Sequence, residues 1–317
     1  MAEVITKATR ESFGLALCEL AKTHDDIVVL DADLAAATKT GIFQKAYPER
    51  FINCGIAEGN MIGVAAGLAS AGKVPFAASF AMFATGRAFE QIRNSVAYPE
   101  LNVKIAGSHA GISTGEDGAT HQCIEDIAIM RAIPNMVVLN PADHYEMTEA
   151  VKAAYQYDGP VYIRLGRLAI DSFNDPETYQ FQLGKGITLH EGTDITVVAT
   201  GLVVNEALKA VNALESKGIH ARLINIHTIK PIDRELIIKA AKETGRIVTV
   251  EEHNVVGGLG DAVCDVVTAE CPVKVTKIGV NDEFGYSGPA KELLSLFGLC
   301  QSNIENVVEN IVMTEKR

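Results

Sequence analysis

Residues 103–122 read Val-Lys-Ile-Ala-Gly-Ser-His-Ala-Gly-Ile-Ser-Thr-Gly-Glu-Asp-Gly-Ala-Thr-His-Gln. They begin as an apolar strand (103–106) and continue as a glycine-rich loop, after which a helix-like run starts near Gln122. Open α/β sheets place their chemistry in such loops, at the carboxyl ends of the strands. Histidines and carboxylates supply proton transfer near neutral pH, although these residues alone also allow a solvated loop without function. The titratable side chains of the loop are His109, Glu116, Asp117 and His121.

Short apolar runs alternate with helical patterns on both sides of this stretch, which is typical of parallel, doubly wound α/β sheets. The first series of predicted strands is 27–31, 74–79, 103–106, 136–139 and 161–164, with helices at 9–23, 58–71, 87–98, 122–132 and 144–157. A polar stretch, 168–193, breaks the rhythm and is predicted to be a linker. Further strands are predicted at 195–200, 221–226, 246–251 and 273–278, with helices between them and two at the end. The sequence therefore predicts an α/β protein of two doubly wound domains, residues 1–185 and 186–317.

The composition argues against several classes of protein. The chain has 317 residues, 48% of them hydrophobic, and a formal net charge of −12. Nucleic acids and anionic membranes require a basic surface, so an anionic substrate has to be bound by individually placed arginines. No apolar run reaches the roughly 20 residues that span a bilayer, and the N-terminus has no signal-peptide pattern. The six cysteines form no Cys-x-x-Cys pair, so we expect a reducing, cytoplasmic location.

The helix that begins at Glu58 consists almost entirely of small and apolar residues, Gly-Asn-Met-Ile-Gly-Val-Ala-Ala-Gly-Leu-Ala. We expect it to be buried on almost every side. Its glutamate is either a simple cap that interacts with the helix dipole or a desolvated acid whose pKa is raised for proton chemistry. Further along, Phe80 and Phe83 follow a strand, where they either fill the core or form a wall for a flat heterocycle.

Five motifs together resemble the transketolase family. They are Ile-Ala-Glu-Gly-Asn-Met (56–61), Ser-Phe-Ala-Met-Phe (79–83), the loop 107–122, Ile-Lys-Pro-Ile-Asp (229–233) and Val-Glu-Glu-His-Asn-Val-Val-Gly-Gly-Leu-Gly (250–260). The resemblance covers essentially the whole chain but only the C-terminal half of a full-length transketolase, that is, its pyrimidine-binding and C-terminal domains. The family's diphosphate and metal signature, Gly-Asp-Gly followed further along by Asn, is absent. The chain therefore resembles the smaller subunit of a split transketolase.

The resemblance implies a set of cofactor-binding residues in the first domain. Glu58 matches the family glutamate that hydrogen-bonds the aminopyrimidine ring of thiamine diphosphate and promotes its imino form, so the resemblance implies a catalytic as well as a cofactor-binding role. Phe80 and Phe83 match the aromatic pair that packs against this ring. Asp33 matches an aspartate that lies near the cofactor at the subunit interface.

The resemblance also implies which residues act on the sugar. His109 and His121 match positions in the substrate channel, where a histidine can move protons to and from sugar hydroxyls. Some members of the family carry glutamine at the second position. Asp117 matches an aspartate that binds a sugar hydroxyl, and a site built around that bond rejects substrates that lack it.

Two arginines match the family residues that bind the sugar phosphate, because guanidinium groups suit phosphate oxygens. They are Arg10 and Arg167, with Arg164 as the second choice for the latter role. After Asp33-Leu34 the family often supplies a phosphate-binding serine, whereas this chain has Ala35-Ala36-Ala37 and then Thr38, which we expect to substitute for the serine. Between Phe83 and Arg87 the chain holds one residue more than the family pattern.

Together these matches imply a subunit that transfers a two-carbon ketol group from a ketose phosphate to an aldose phosphate. The implied cofactors are thiamine diphosphate and Mg²⁺ or Ca²⁺, held mainly by an N-terminal, diphosphate-binding partner subunit. A heterotetramer that self-associates through both domains of this chain is the expected assembly. No metal site is expected here, because Asp117 and His121 lack a third ligand. The alternatives are a deoxyxylulose-phosphate synthase, the beta subunit of a 2-oxoacid dehydrogenase, or a non-catalytic regulatory subunit.

Overall fold

The computed structural model describes residues 4–314, which form three β-sheets flanked by helices. The strands are β1 (Thr6–Ala8), β2 (Ile27–Asp31), β3 (Phe51–Asn53), β4 (Val74–Phe80), β5 (Lys104–Ser108), β6 (Val137–Leu139), β7 (Val161–Arg164), β8 (Ala169–Asp171), β9 (Ile187–His190), β10 (Ile195–Ala199), β11 (Ala221–Asn225), β12 (Thr228–Lys230), β13 (Arg246–Asn254) and β14 (Lys274–Val280). The α-helices are α1 (Thr9–Leu20), α2 (Ala35–Thr38), α3 (Gly41–Ala46), α4 (Glu58–Ser70), α5 (Phe89–Gln91), α6 (Asp126–Ala132), α7 (His144–Gln156), α8 (Val203–Glu215), α9 (Arg234–Thr244), α10 (Leu259–Glu270), α11 (Ala290–Leu296) and α12 (Gln301–Thr314). Other helical segments are the 3-10 helices Pro48–Arg50 and Ile112–Asp117 and the π-helices Met82–Arg87 and Ile92–Ala97.

A seven-stranded sheet with the order β12-β6-β7-β5-β4-β2-β3 forms the first domain. Its strands are parallel except β12, which pairs antiparallel with β6. Successive side chains of β2 point to opposite faces, so that Val28 and Leu30 join one apolar cluster while Ile27 and Val29 join another. Burial on both faces explains the unbroken apolar run that predicts this strand.

A five-stranded sheet with the order β14-β13-β10-β11-β9 forms the second domain. It is parallel except for β9, which pairs antiparallel with β11. The predicted α/β fold class is confirmed. The boundary at 185/186 stays a prediction, and β12, from the C-terminal half of the chain, completes the edge of the first sheet.

The stretch 168–193 is not a plain linker as predicted. It contains β8, which pairs antiparallel with β1, and β9, which joins the second sheet. Both strands lie at sheet edges and are at most half-buried, so they lack the apolar pattern that marks the central strands.

The helix predicted at 122–132 begins only at Asp126. Gln122 is instead buried in the loop, where its Nε2 donates hydrogen bonds to the carbonyls of Ile112, Gly115 and Tyr286. These carbonyls come from two separate parts of the chain, so local sequence could not reveal that Gln122 ends the loop rather than starting the helix.

The helix predicted at 87–98 lies in a segment that is mostly π-helical, including the turn Met82–Arg87. A π-helical turn is the usual way in which a helix accommodates one additional residue, and such turns often lie at functional sites. The extra residue between Phe83 and Arg87 stays a prediction from the family resemblance.

The prediction that α4 is buried on almost every side is wrong for the single chain. One stripe of the helix, made of Asn60, Gly63, Gly67 and Ser70, is exposed. Apart from the adjacent residues and the backbone of the helix itself, no atom of residues 4–314 lies within 4 Å of the positions that Cβ atoms would take at Gly63 and Gly67. A composition of small and apolar residues predicts that a helix is buried, but it does not distinguish burial within the same chain from burial against another chain. Among residues 4–314, no helix has the length and apolarity needed to cross a membrane.

Candidate active site

The sequence-predicted site residues of the first domain converge at the carboxyl edge of its sheet. Asp33 follows β2, Glu58 follows β3, Phe80 ends β4, His109 follows β5 and Arg167 follows β7. Neighbouring parallel strands end at the same edge, which is where open α/β sheets bind ligands. Residues scattered over more than a hundred positions of sequence are therefore brought together.

Aromatic rings form one wall of this site. The ring of Phe80 stacks on the imidazole of His109 with a centroid distance of 3.9 Å, and on Phe83 at 5.8 Å. The imidazole of His121 lies edge-on to Phe83, with the centroids 5.3 Å apart. The two phenylalanines thus face the cleft with both predicted histidines, rather than filling the core away from it.

Glu58, the first residue of α4, is only 4% exposed although it carries a carboxylate. Its Oε1 accepts a hydrogen bond of 3.2 Å from Nη1 of Arg87. The guanidinium carbon of Arg87 also lies 4.0 Å from the ring centroid of Phe83. A flat cationic group with N–H donors therefore contacts the buried carboxylate and an aromatic face together.

The hydrogen bonds of His109 define its tautomer. Nη1 of Arg10 lies 3.0 Å from Nε2 of His109, and because a guanidinium can only donate, Nε2 must accept. The proton is then on Nδ1, which lies 2.9 Å from the hydroxyl of Ser108. Burial, together with the nearby positive charges of Arg10 and Arg167, lowers the pKa of His109 to about 3. His109 is consequently a neutral imidazole near neutral pH, with its unprotonated Nε2 facing Arg10.

Arg10 and Arg167 concentrate positive charge beside His109. Arg10 donates to the carbonyl of Ala37 at 2.8 Å, and its buried Nε has no hydrogen-bond partner among the described residues. Arg167 donates to the carbonyl of Thr114 and, at 2.9 Å, to Oε2 of Glu116. Burial lowers the pKa of Arg10, and the charge of Arg167 lowers it further. Two guanidinium groups that repel each other across a cleft suit an anionic ligand.

Arg164, the second choice for the phosphate role, lies elsewhere. It is buried and forms hydrogen bonds of 2.7 and 3.2 Å to both oxygens of Asp126, which also accepts from the hydroxyl of Tyr162. Its Nη2 also donates to the carbonyls of Cys123 and Glu252. The side chain of Arg164 is 4% exposed and that of Arg167 is 34% exposed, so Arg167 is the more accessible of the two.

Thr38 is also buried, and its hydroxyl donates to Oδ2 of Asp31 at 2.8 Å. Asp31 accepts a second hydroxyl hydrogen bond from Thr40, so this group of side chains stabilises the turn after β2. The threonine hydroxyl points into that turn rather than toward a phosphate. This geometry does not support the expected replacement of the family's serine.

The remaining predicted residues line the cleft more loosely. Asp33 is exposed, has a left-handed φ of 65° and accepts a hydrogen bond of 3.1 Å from Asn53. Asp117 is exposed in the loop, and His121 is half-buried with Nδ1 2.9 Å from the hydroxyl of Thr120. Within the described part of the chain, no three His, Cys, Asp or Glu side chains are grouped to hold a metal ion.

Sequence reasoning missed Arg87 as a site residue. It lies four positions after Phe83, and this helical spacing was the only sequence feature that could have suggested a contact between the two. The π-helical turn that brings Arg87 to Glu58 is not visible in the sequence. Cys123, close to the loop, is buried, and burial raises the pKa of its thiol far above the ordinary range. It is consequently a protonated, unreactive thiol.

Comparison with known proteins agrees with this fold and site. Residues 6–171 match the family described as transketolase, pyrimidine binding domain, and residues 184–304 match transketolase, C-terminal domain. The chain therefore belongs to the transketolase family, which uses thiamine diphosphate and a divalent metal.

Relatives of similar length are subunits rather than whole enzymes. The 6-deoxy-6-sulfo-D-fructose transketolase subunit SqwH of Clostridium sp. (strain MSTE9) is 44% identical over 311 residues, which cover 97% of this chain and 95% of the relative. An apulose-4-phosphate transketolase subunit from Phocaeicola vulgatus is 42% identical over 297 residues, 94% of this chain and 95% of the relative. A solved structure described as a split gene transketolase, inactive beta4 tetramer, superposes with a TM-score of 0.90 at 51% identity, covering 97% of this chain and 99% of that one. This chain is thus similar over nearly its whole length to subunits of split transketolases.

Proposed function

We propose that this chain is the pyrimidine-binding subunit of a thiamine-diphosphate-dependent transketolase and transfers a two-carbon ketol group between sugar phosphates. The convergence of Glu58, Phe83, His109, Arg10 and Arg167 at one sheet edge carries this proposal. The site combines a buried acid, an aromatic wall, a neutral base and two cations. These are the groups that a flat cationic cofactor and a phosphorylated sugar require.

The residues of this chain fit one half of the cofactor. Glu58 and Phe83 already hold the planar guanidinium of Arg87, through a hydrogen bond and a stacking contact. An aminopyrimidine ring is also flat and carries N–H donors, so the same carboxylate and ring would hold it once the exposed Arg87 side chain moves. When bound, thiamine diphosphate supplies the nucleophilic carbon and electron sink that the cleavage of a ketose carbon–carbon bond requires.

The side chains around the aromatic wall would then handle the sugar. His109 is neutral and its Nε2 can accept a proton from a sugar hydroxyl when that hydroxyl takes the place of the Arg10 donor. Arg10 and Arg167 would bind the phosphate through charged hydrogen bonds. Asp117 and His121, on the outer part of the loop, would contact sugar hydroxyls.

We propose that a second, diphosphate-binding subunit completes the site and holds Mg²⁺ or Ca²⁺, in a heterotetramer with two copies of each chain. The exposed stripe of α4 supports an extensive contact with another chain, because glycines in mid-helix lower helix stability and Gly63 and Gly67 here face no neighbouring element among the residues that the structure describes. The beta4 tetramer of a split-gene relative likewise supports self-association. A cytoplasmic location is supported by six cysteines that are all free thiols.

The test is to isolate the native complex through a tag on this chain and to measure ketol transfer. With thiamine diphosphate and Mg²⁺ added, the complex with a stoichiometric second chain is expected to transfer the ketol group from xylulose 5-phosphate to ribose 5-phosphate. This chain alone is expected to be inactive. If the complex binds the cofactor but transfers no ketol group, the chain belongs to another thiamine enzyme. If the tagged chain is isolated with neither a partner nor the cofactor, a regulatory subunit is favoured.

A further inference from the structure

A glutamate of the second domain reaches into the loop that carries His109. Glu252 lies on β13 and is only 2% exposed. Its Oε1 accepts a hydrogen bond of 2.5 Å from the backbone N–H of Ser113, in the 3-10 helix of the loop. The carboxyl group occupies the space that a Cβ atom would fill at Gly111, whose φ of 81° also favours glycine. The loop backbone is therefore shaped around this side chain.

The opposite end of Glu252 is fixed by a buried ion pair. Arg164 donates to the backbone carbonyl of Glu252 at 2.9 Å while it binds Asp126 and the carbonyl of Cys123. Strand β13, the start of α6 and the end of the loop thus share one guanidinium. Glu252 is held in one position before it meets the loop.

The loop transmits this position to the imidazole over a short distance. The hydroxyl of Thr114, next to Ser113, donates to the carbonyls of His109 and Gly111. His109 itself has a left-handed φ of 57°, which a non-glycine residue adopts only where the surrounding structure imposes it. A displaced Ser113 would therefore displace the backbone on which the imidazole is mounted.

A second contact from the same domain acts at the other end of the loop. The buried amide of Gln122 joins the loop carbonyls of Ile112 and Gly115 to the carbonyl of Tyr286. The second domain accordingly holds the loop from two sides.

We propose that Glu252 is a positioning residue: through Ser113 it sets the geometry of the loop 109–117, and hence of His109, for the sugar substrate. The role of the loop in binding sugar rests on the proposed function, whereas the mechanical link between Glu252 and the loop does not. The proposal depends on the length of the side chain, because an acceptor oxygen has to extend from β13 as far as the backbone N–H of Ser113.

Three substitutions separate reach from charge and from stability. Glu252→Asp keeps the carboxyl group but withdraws it by one methylene, whereas Glu252→Gln replaces the carboxyl group and keeps an acceptor oxygen at the original reach. Glu251→Asp is the matched control, since Glu251 is a buried neighbour on the same strand. Its carboxylate accepts from the backbone N–H groups of Leu259 and Gly260 at 2.6 and 2.8 Å, inside its own domain.

Hydrogen exchange of the isolated chain tests the link without any activity. In Glu252→Asp, exchange is expected to rise about tenfold in the peptide 109–117 and to stay unchanged in α4. Glu252→Gln is expected to keep the loop protected even if the midpoint of thermal unfolding falls. Glu251→Asp should raise exchange in α10 only. Unchanged exchange of the loop in Glu252→Asp, or equal loss of protection in Glu252→Gln, would overturn the proposal.

Kinetics of the assembled complex tests the consequence. In Glu252→Asp, kcat/KM for the sugar phosphate is expected to fall about 10- to 100-fold, because small displacements of positioned groups have effects of that size. The Kd of the cofactor, which is held by other residues, is expected to stay within about twofold. A parallel loss of cofactor binding would mean that the glutamate acts only on folding. If the wild-type complex transfers no ketol group, the proposed function fails while the exchange result still decides the link.

Discussion

Replacing Arg167 with alanine tests whether this residue reads the phosphate of the substrate. Its guanidinium lies beside Arg10 and His109 and is tied to the loop through Thr114 and Glu116. Only about a third of its side chain is exposed, at 34%, which is enough for a ligand to reach it from the cleft. We expect a selective loss of affinity for phosphorylated sugars.

The size of the effect follows from the bonds that Arg167 already makes. A hydrogen bond between charged groups contributes about 1.5–3 kcal/mol. Because Glu116 competes for the same guanidinium at 2.9 Å, the lower end applies, and about 1.5 kcal/mol corresponds to roughly a tenfold rise in KM. For an unphosphorylated sugar of the same configuration no such bond is lost, so the change is expected to stay within about twofold.

The measurement is steady-state ketol transfer by the assembled complex at saturating cofactor, with ribose 5-phosphate and ribose as acceptors. Arg234→Ala is the control, since Arg234 is a surface arginine of α9 that pairs with Glu270 in the second domain. Equal rises of KM for both acceptors would refute the phosphate role of Arg167. A selective rise in Arg164→Lys instead would return that role to Arg164.

Further predictions concern the acid, the ion pair, the imidazole and the helix stripe. Glu58→Gln is expected to leave assembly intact and remove most activity; near-normal turnover would exclude its cofactor role. Asp126→Asn removes the carboxylate that is hydrogen-bonded to the buried guanidinium of Arg164, so the free energy of unfolding measured in urea should fall by about 3–5 kcal/mol, and a fall below about 1 kcal/mol would contradict a structural role of the pair. The pKa of His109 in the folded protein is about 3, below its ordinary 6.5. The stability that the neutral imidazole provides is therefore fully present above pH 6.5 and is lost as the pH falls toward 3. The free energy of unfolding should fall between pH 7.5 and pH 5, and in His109→Asn this fall should be smaller by about 2 kcal/mol. An equal fall in the variant and the wild type would contradict the lowered pKa of His109. Gly63→Leu places a side chain in open space, so the single chain should fold normally while sedimentation shows impaired assembly; normal assembly would exclude the α4 stripe as an interface.

Central strands and the edge of the sheet that carries chemistry could be predicted from sequence. β2 and β7 have the predicted bounds because burial on both faces leaves an unbroken apolar run. The edge strands β8 and β9 were missed because their half-exposed residues carry no such pattern. Periodicity reports burial, so it detects the middle of a sheet better than its margins.

The sequence predicted which residues gather at the site. It could not predict properties that depend on contacts between distant parts of the chain, such as which arginine is buried. Arg164 ends β7 and Arg167 follows it, and sequence gives no reason to bury one of them. The difference arises from Asp126, the first residue of helix α6, which accepts hydrogen bonds from Arg164. The tautomer of His109 likewise depends on Arg10, which lies at the other end of the domain in sequence.

The second domain shows how two adjacent, identical residues acquire different uses. Glu251 and Glu252 point to opposite faces of β13, as neighbours on a strand must. The carboxylate of Glu251 accepts hydrogen bonds from the backbone N–H groups of Leu259 and Gly260 at the start of α10. The carboxyl group of Glu252 instead accepts a hydrogen bond from the backbone N–H of Ser113 in the first domain. A shift of this strand by one residue would turn both side chains to the opposite faces, and Glu252 would no longer reach the N–H of Ser113. The register of β13 therefore determines which of the two glutamates contacts the loop.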